Sequence, residues 1–254
     1  MLFAERRLTD VVRAALDRRQ WLGVLRGLTT YAQPMRELIR YAFGTGQYPR
    51  ECVVRTPFGR RTVNLWTRDD LRTLHIIFCR RDYPMPPHDG VVVDFGSNIG
   101  ISALYFLTQA PLAQAFLFEP VPRNVKRLRQ NLGGLEDRYT ITEAAIYTES
   151  GRVSLGVEDT GIYGGILSHS NQRIEVDAVE VNTAIQNVLG ICGRIDLLKV
   201  DVEGLEEELV LAVRPEIVNF VDVIALETSG ERRLHPDSFD SSFHPGIQIL
   251  LRRR

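Results

Sequence analysis

Three short stretches carry side chains whose types and spacing could do chemistry together. Residues 91–106, VVVDFGSNIGISALYF, join an apolar run to a helix-like run through Asp94, Gly96, Ser97, Asn98 and Gly100. Glu119 follows in LFEP, about 20 residues on, the usual separation of an acidic ribose-binding residue from a glycine turn. The third stretch, KVDVEG, places Lys199, Asp201, Glu203 and Gly204 behind the apolar IDLL.

The glycine turn admits two ligands, a phosphate or an adenosyl group. A dinucleotide fingerprint needs G-x-G-x-x-G so that backbone can approach a pyrophosphate. Here Asn98 takes the middle position, the third glycine is missing, and no Gly-Lys-Ser/Thr follows. What remains suits a ligand without phosphates, with Asp94 ending the strand and Gly100 letting the helix lie close on the sheet. Glu119 strengthens the adenosyl reading, because a carboxylate accepts two hydrogen bonds from the vicinal diol of a ribose. The charges of KVDVEG are awkward in a core, since a buried charge is expensive unless paired. A functional pocket accounts for them; a Lys199–carboxylate pair with Glu203 near a helix N-terminus is the structural alternative.

Elements that would position these residues follow from periodicity. Residues 2–43 carry apolar groups at helical spacing, CVVRTPFGRRTVNLW reads as an antiparallel hairpin, and RDDLRTLHIIFCRRDY reads as helix. The Pro-rich PMPPHDG then marks a boundary between an N-terminal helical and hairpin cap region, 1–88, and a second domain, 89–254. In the second domain apolar strands at 91–95, 115–119, 139–144, 195–200 and 221–227 alternate with helices. That pattern predicts a doubly wound, mostly parallel α/β sheet of the Rossmann-like kind, six or seven strands wide. Ligands of such sheets lie beyond the carboxyl ends of the strands. The chain after Glu227 is short, so the C-terminal edge is expected to be curtailed. Residues 159–181 read as an irregular connection, and such connections often bind ligands.

VVVDFGSNIGISALYF, FLFEPVPRNVKRLRQNL, ITEAAIYTESGRVSL and LLKVDVEGLEEELV together resemble the FkbM-type methyltransferases, a branch of the class I S-adenosylmethionine (SAM)-dependent enzymes that mostly methylate hydroxyls. The likeness runs from about Val53 to about Glu227, and Asp-Val-Glu-Gly-x-Glu is its most specific mark. It implies the class I methyltransferase fold and SAM as cofactor. By position, Gly96, Ser97, Asn98 and Gly100 would turn around the methionine part of SAM, Glu119 would hold the ribose, and Asn124, Ala144 and Ala145 would lie near the adenosine. One departure stands out: relatives often show Thr-Leu-Asp where this chain has Ala178-Val179-Glu180.

The activity so implied is O-methyl transfer to a hydroxyl of a small molecule, a sugar or a specialised (natural-product) metabolite. Asp201 is the first candidate for general base, followed by Glu203 and His169, because an alcohol is a weak nucleophile and a positioned base helps by roughly 10²–10⁴. Lys199, Tyr163 and Glu227 are candidate substrate contacts. Asp201 and Glu227, on adjacent strand ends, would equally suit Mg²⁺ or substrate hydroxyls. An amine acceptor, and a SAM- or nucleotide-binding module without turnover, remain the alternatives.

Composition agrees with an ordinary soluble protein: 254 residues, 44% hydrophobic, 25% charged, formal net charge −1. Such a balance argues against a broad nucleic-acid surface. The three scattered cysteines suggest neither a zinc site nor a disulfide framework. The N-terminal residues break their apolar positions with charge, unlike a signal peptide, so a cytoplasmic protein with no membrane association is expected. A homodimer stays open.

Overall fold

A computed structural model describes residues 18–157, 164–165, 172–228 and 230–253. They divide into two compact units, one ending at Tyr83 and the other beginning at Pro84. Among the described residues no helix is long and apolar enough to cross a membrane.

The first unit runs α1 (Arg18–Thr30), α2 (Pro34–Phe43), β1 (Arg50–Thr56), β2 (Gly59–Leu65) and α3 (Arg68–Leu74), which continues as a π-helical turn, His75–Arg80. β1 and β2 form the expected hairpin, in register from Arg50–Leu65 to Thr56–Gly59. α3 starts at a capping box, the Thr67 hydroxyl accepting from the Asp70 amide while the Asp70 carboxylate accepts from Thr67. At the centre lies His75, fully buried. Its Nδ1 is 3.2 Å from the Tyr31 hydroxyl, and the Tyr41 ring stacks on it at 3.9 Å. Desolvation, then Arg80, lowers its pKa to about 4, so it is a neutral core histidine.

The second unit opens with β3 (Val91–Phe95), α4 (Ile101–Gln109), β4 (Gln114–Phe118), α5 (Pro122–Asn131) and β5 (Tyr139–Thr142). β3 is buried along its whole length, which is why its sequence is an unbroken apolar run rather than an alternation. Next come β6 (Ala145–Tyr147), β7 (Gly151–Val157), β8 (Gly164–Gly165) and β9 (Arg173–Glu180), then α6 (Val181–Cys192). The chain closes with β10 (Leu197–Val200), α7 (Glu206–Ala212), α8 (Pro215–Val218), β11 (Val223–Leu226), β12 (Phe239–His244) and β13 (Ile247–Arg252).

The large sheet has seven strands in the order β12-β13-β11-β10-β3-β4-β5. The five from β5 to β11 are parallel and β13 runs antiparallel to β11. This is the Rossmann-like sheet that the resemblance implies. The curtailed edge is corrected: β12 and β13 complete a reversed hairpin through a two-residue Pro245-Gly246 turn, with His244 opposite Ile247. Gly246 at φ 81° supplies the left-handed residue such a turn needs. FDSSFH lacks an apolar run, so the sequence signal for this strand lies in the Pro-Gly turn beside it.

The irregular reading of 159–181 is corrected over Arg173–Glu180, which form β9; 159–163 and 166–171 lie outside the described residues. β7 and β9 pair antiparallel from Gly151–Ala178 to Gly156–Arg173, within a four-stranded sheet ordered β6-β9-β7-β8. Ile174, Val176 and Ala178 alternate with Arg173, Glu175 and Asp177, a period of two that marks one face for burial. Val176 packs there with Val121, Ala145, Leu155 and Val157. Glu180 accepts from the amides of Asn182 and Thr183 and so caps α6. That settles the acid that departs from the relatives: it starts a helix.

Candidate functional site

Two hollows lie beyond the carboxyl ends of the parallel strands, meeting at Asp201, Glu203 and the chain after β10. The first encloses about 60 Å³ and opens to solvent at its mouth. Its floor is the turn after β3, with Gly96 and Asn98, and its far wall is Glu119 and Asn124. Phe118, Val121, Ala144, Ala145, Ile146 and Leu155 give an apolar side. Of these, Val121, Ala145 and Leu155 are held in place by the small sheet.

The turn after β3 is built by backbone. The amides of Gly96 and Ser97 both donate to Phe118 O at 3.0 Å, stitching it to β4. Gly96 lies at φ 80°, and a Cβ there would stand 1.7 Å from Asp201 O. This glycine is therefore required where the turn touches the end of β10. Gly100, at φ 81°, would bring a Cβ to 2.9 Å from Leu128. Its expected role of letting a helix lie on the sheet is corrected: the close approach is to α5.

Beneath the turn is a buried ionic group. Parallel pairing sets Lys199 beside Asp94, and Lys199 Nζ donates to Asp94 Oδ1 at 2.9 Å and to Gly96 O at 3.1 Å. It also pairs with Asp201 at 3.2 Å. The other Asp94 oxygen accepts from Ser102 Oγ at 2.5 Å. Burial alone would lower the pKa of Lys199, but Asp201, then Asp94, outweigh it and hold it above the ordinary value. Lys199 is 2% exposed and Asp94 is wholly buried, so both are corrected: they support the hollow from below and line neither hollow. Ser97 is also buried, its hydroxyl donating to Asp94 O at 2.8 Å.

Glu119 occupies the end of β4. Oε2 accepts from the Asn98 amide at 2.9 Å and Oε1 from the Val121 amide at 2.8 Å, with Asn124 Nδ2 at 3.4 Å. Oε1 thus accepts two hydrogen bonds and Oε2 one, which leaves acceptor capacity on Oε2. Desolvation by burial raises its pKa to about 7 against these hydrogen bonds.

The second hollow is acidic, lined by Asp201, Glu203, Glu207, Glu208 and Glu227 with Thr228, Arg232 and Gly246 among the others. Glu206 shapes its rim, for its carboxylate accepts from the amides of Val202 at 3.1 Å and Gly204 at 3.0 Å. That grip folds the chain so that Glu203, between them, sits at φ 61°. Desolvation, then the charges of Asp201, Glu227 and Glu206, raise the exposed Glu203 carboxyl to about 7. Glu206 and Val202 stand in the Asp-Val-Glu-Gly-x-Glu block with no role assigned from sequence, and Phe118, Val121, Ile146 and Leu155 were not singled out. A Glu opening a helix just after Val-Glu-Gly was the available signal.

Of the other candidates, Tyr163 and His169 lie outside the described residues. Among the described residues no three His, Cys, Asp or Glu side chains come together in a way that could hold a metal ion. Glu227 is exposed at the end of β11, on the rim of the acidic hollow.

Comparison with known proteins shows what the chain is similar to. The chain is 31% identical over 138 residues to the 2-O-methyltransferase NoeI of Sinorhizobium fredii, a match covering 48% of the chain and 56% of NoeI. It is 29% identical over 214 residues to the AMB antimetabolite synthetase AmbE of Pseudomonas aeruginosa, covering 70% of the chain and 10% of that much longer protein. The chain thus spans about half of the first relative and a small part of the second. A solved methyltransferase from Geobacter sulfurreducens superposes with a TM-score of 0.38 at 16% identity, over 72% of this chain and 77% of that one. The family described as Methyltransferase FkbM domain matches residues 94–252, well over half the chain, and the protein belongs to that family of methyltransferases.

Proposed function

We propose that this methyltransferase uses SAM and transfers its methyl group to a hydroxyl of a small molecule, a sugar or a specialised metabolite. The observation that carries this reading is Glu119, a buried carboxylate with free acceptor capacity at the end of β4, facing a hollow with one apolar wall. A nucleoside fits that donor and acceptor set. Glu119 would take the ribose hydroxyls, the turn at Gly96 and Asn98 would lie along the methionine part, and Phe118, Val121, Ala144, Ala145, Ile146 and Leu155 would enclose the base. When bound, SAM supplies a methyl on a sulfonium, open to in-line attack.

The chain's own residues do the rest. Asp201 and Glu203 stand where the two hollows meet, so an acceptor in the acidic hollow would present a hydroxyl between them. Asp201 is fixed by Lys199 and orients that hydroxyl. Glu203, with a carboxyl near neutrality, accepts its proton, since a base works best with its pKa near the operating pH. Glu227 and Arg232 are placed to contact the remainder of the acceptor. The likeness to NoeI, a 2-O-methyltransferase, supports a hydroxyl over an amine.

Two measurements test this. Calorimetry should show SAM binding that weakens with Glu119→Gln; NAD binding without SAM binding would overturn the cofactor. Incubation with labelled SAM and a panel of sugars and hydroxylated metabolites should label a product and release S-adenosylhomocysteine. Glu203→Gln should slow transfer by roughly 10²–10⁴. Labelling of amines alone would move the assignment to an N-methyltransferase, and SAM binding without turnover on any acceptor would favour a regulatory module.

A further inference from the structure

Two consecutive glutamates open α7, and each grips a different chain leaving the large sheet. Glu206 accepts from the amides of Val202 and Gly204 and so shapes the β10 turn that carries Asp201 and Glu203. Glu207 holds the neighbouring chain, the one that leaves β11. Its Oε1 accepts from the Thr228 hydroxyl at 2.7 Å, and Thr228 Oγ1 in turn accepts from the Gly230 amide at 2.9 Å, the local turn that a threonine hydroxyl can close. A Cβ on Gly230 would stand 2.1 Å from Glu207 Oε1, so the chain runs directly against this carboxylate.

The residue held in this way is Glu227. Its amide donates to Val200 O at 3.1 Å, which fixes it on the β10 side, and the next residue, Thr228, is fixed to α7. Glu227 is exposed, and both it and Glu207 line the acidic hollow. The sheet does not need the tie, since β11 is already paired along both edges, to β10 and to β13. What the tie does set is where Glu227 stands relative to Glu203, with one glutamate of α7 holding each chain. Both grips use a carboxylate, and hydrogen bonds to charged groups are the stronger ones.

We infer that Glu207 is a positioning residue for the acceptor: through Thr228 it sets the place of Glu227 on the acidic hollow, and with it which acceptors fit between Glu227 and Glu203. This role rests on the acceptor occupying that hollow, as proposed above. Three substitutions separate the grip from the charge. Thr228→Val removes the hydroxyl, Gly230→Ala pushes the Glu207 carboxylate away from it, and Glu207→Gln keeps an acceptor oxygen while losing the charge. With the panel sugar or metabolite that the unmodified protein labels fastest, Thr228→Val and Gly230→Ala should each raise KM by about tenfold, the order of a lost hydrogen bond to a charged group. The kcat and the SAM affinity should hold, and Glu207→Gln should keep the unmodified KM.

An NMR titration of Glu203 reads the same placement with no acceptor present. Desolvation, then the charges of Asp201, Glu227 and Glu206, hold that carboxyl up at about 7 against Lys199. Freeing Glu227 should therefore lower it in Thr228→Val and Gly230→Ala and leave it in place in Glu207→Gln. A loss of stability alone, with KM and the Glu203 titration unmoved in both variants, would overturn the inference and leave a plain structural tie. A rise in KM for Glu207→Gln as large as for Thr228→Val would also overturn it, by making Glu207 a charged contact of the acceptor. If the unmodified protein labels no hydroxylated compound, the methyl-transfer reading fails, and the Glu203 titration alone decides whether Glu207 places Glu227.

Discussion

Two turns leave adjacent strands, β3 and β10, at the same edge of the large sheet, and each holds a residue other than glycine in the left-handed region, Asn98 at φ 47° and Glu203 at φ 61°. The β3 turn is fixed from afar, by Phe118 O, by Glu119 and by Lys199. The β10 turn is fixed locally, by the carboxylate of Glu206 three residues on. A turn tied to several strands is rigid and suits a cofactor common to a family. Beyond Asp201, whose amide donates to Phe95 O at 3.0 Å, a turn gripped by its own helix can change its surroundings with little disturbance of the sheet, which suits a variable acceptor. Lys199 joins them, since it reaches both Gly96 and Asp201.

Removing that junction should have the largest effect. Lys199→Met leaves Asp94 and Asp201 without their buried cation, and breaking such a pair destabilises by about 3–5 kcal/mol. Urea unfolding measures it; a loss below about 1 kcal/mol would mean that the two turns are independent. Gly96→Ala should follow. It incurs the left-handed penalty of about 1–2 kcal/mol and must also push Asp201 O away. Gly246→Ala isolates the penalty, because that glycine has a similar φ and nothing within 4 Å of a built Cβ. Equal losses at the two sites would remove the close approach of β3 to β10 from the account.

Glu119→Gln separates the turns by ligand rather than by stability. It should weaken SAM binding by about 1.5–3 kcal/mol, the worth of hydrogen bonds to a charged group, while leaving the fold of the β10 turn unchanged. The pH dependence has a definite sign. Burial raises the folded pKa of Glu119 to about 7 from an ordinary 4.5, so its contribution to stability is full below about 4.5 and is lost as pH rises through 7. SAM affinity runs the other way if the ribose needs the ionised form, falling as pH drops below 7, and Glu119→Gln should flatten that slope. A slope that survives the substitution would assign the titration elsewhere, with Glu203 the next candidate.

The comparison also separates what the sequence makes legible from what it does not. The β3 turn announces itself, because a fully buried parallel strand is an unbroken apolar run and the chain that leaves it needs glycine at Gly96 and Gly100. Glu119 is legible by its distance from that turn. KVDVEG is visible as misplaced charge, yet charge alone does not say which groups face a ligand, and Lys199 and Asp94 prove to be each other's partners. Glu206 stands in the Asp-Val-Glu-Gly-x-Glu block, but its role was not legible because its work is done on backbone amides. β9 and β12 were hidden for another reason: both are polar on one face, so much of their evidence lies in a partner strand or a turn.

The smallest effect tests whether the local grip on the β10 turn stores strain. A glutamate at φ 61° carries a left-handed penalty of about 1–2 kcal/mol, and Glu203 keeps it because the Val202 and Gly204 amides must both meet Glu206. Glu203→Gly relieves the penalty but adds freedom to the unfolded chain, worth about 0.4–1 kcal/mol. The net expectation is a gain of about 0.5–1 kcal/mol in the ligand-free protein, with methyl transfer lost. Asn98→Gly at the β3 turn should gain nothing, because asparagine tolerates this region and offers little to relieve. If both substitutions behave alike, the two turns do not differ in strain. If only Glu203→Gly stabilises, the backbone is held in an unfavourable conformation to aim one carboxylate, which is what a site-directed base requires.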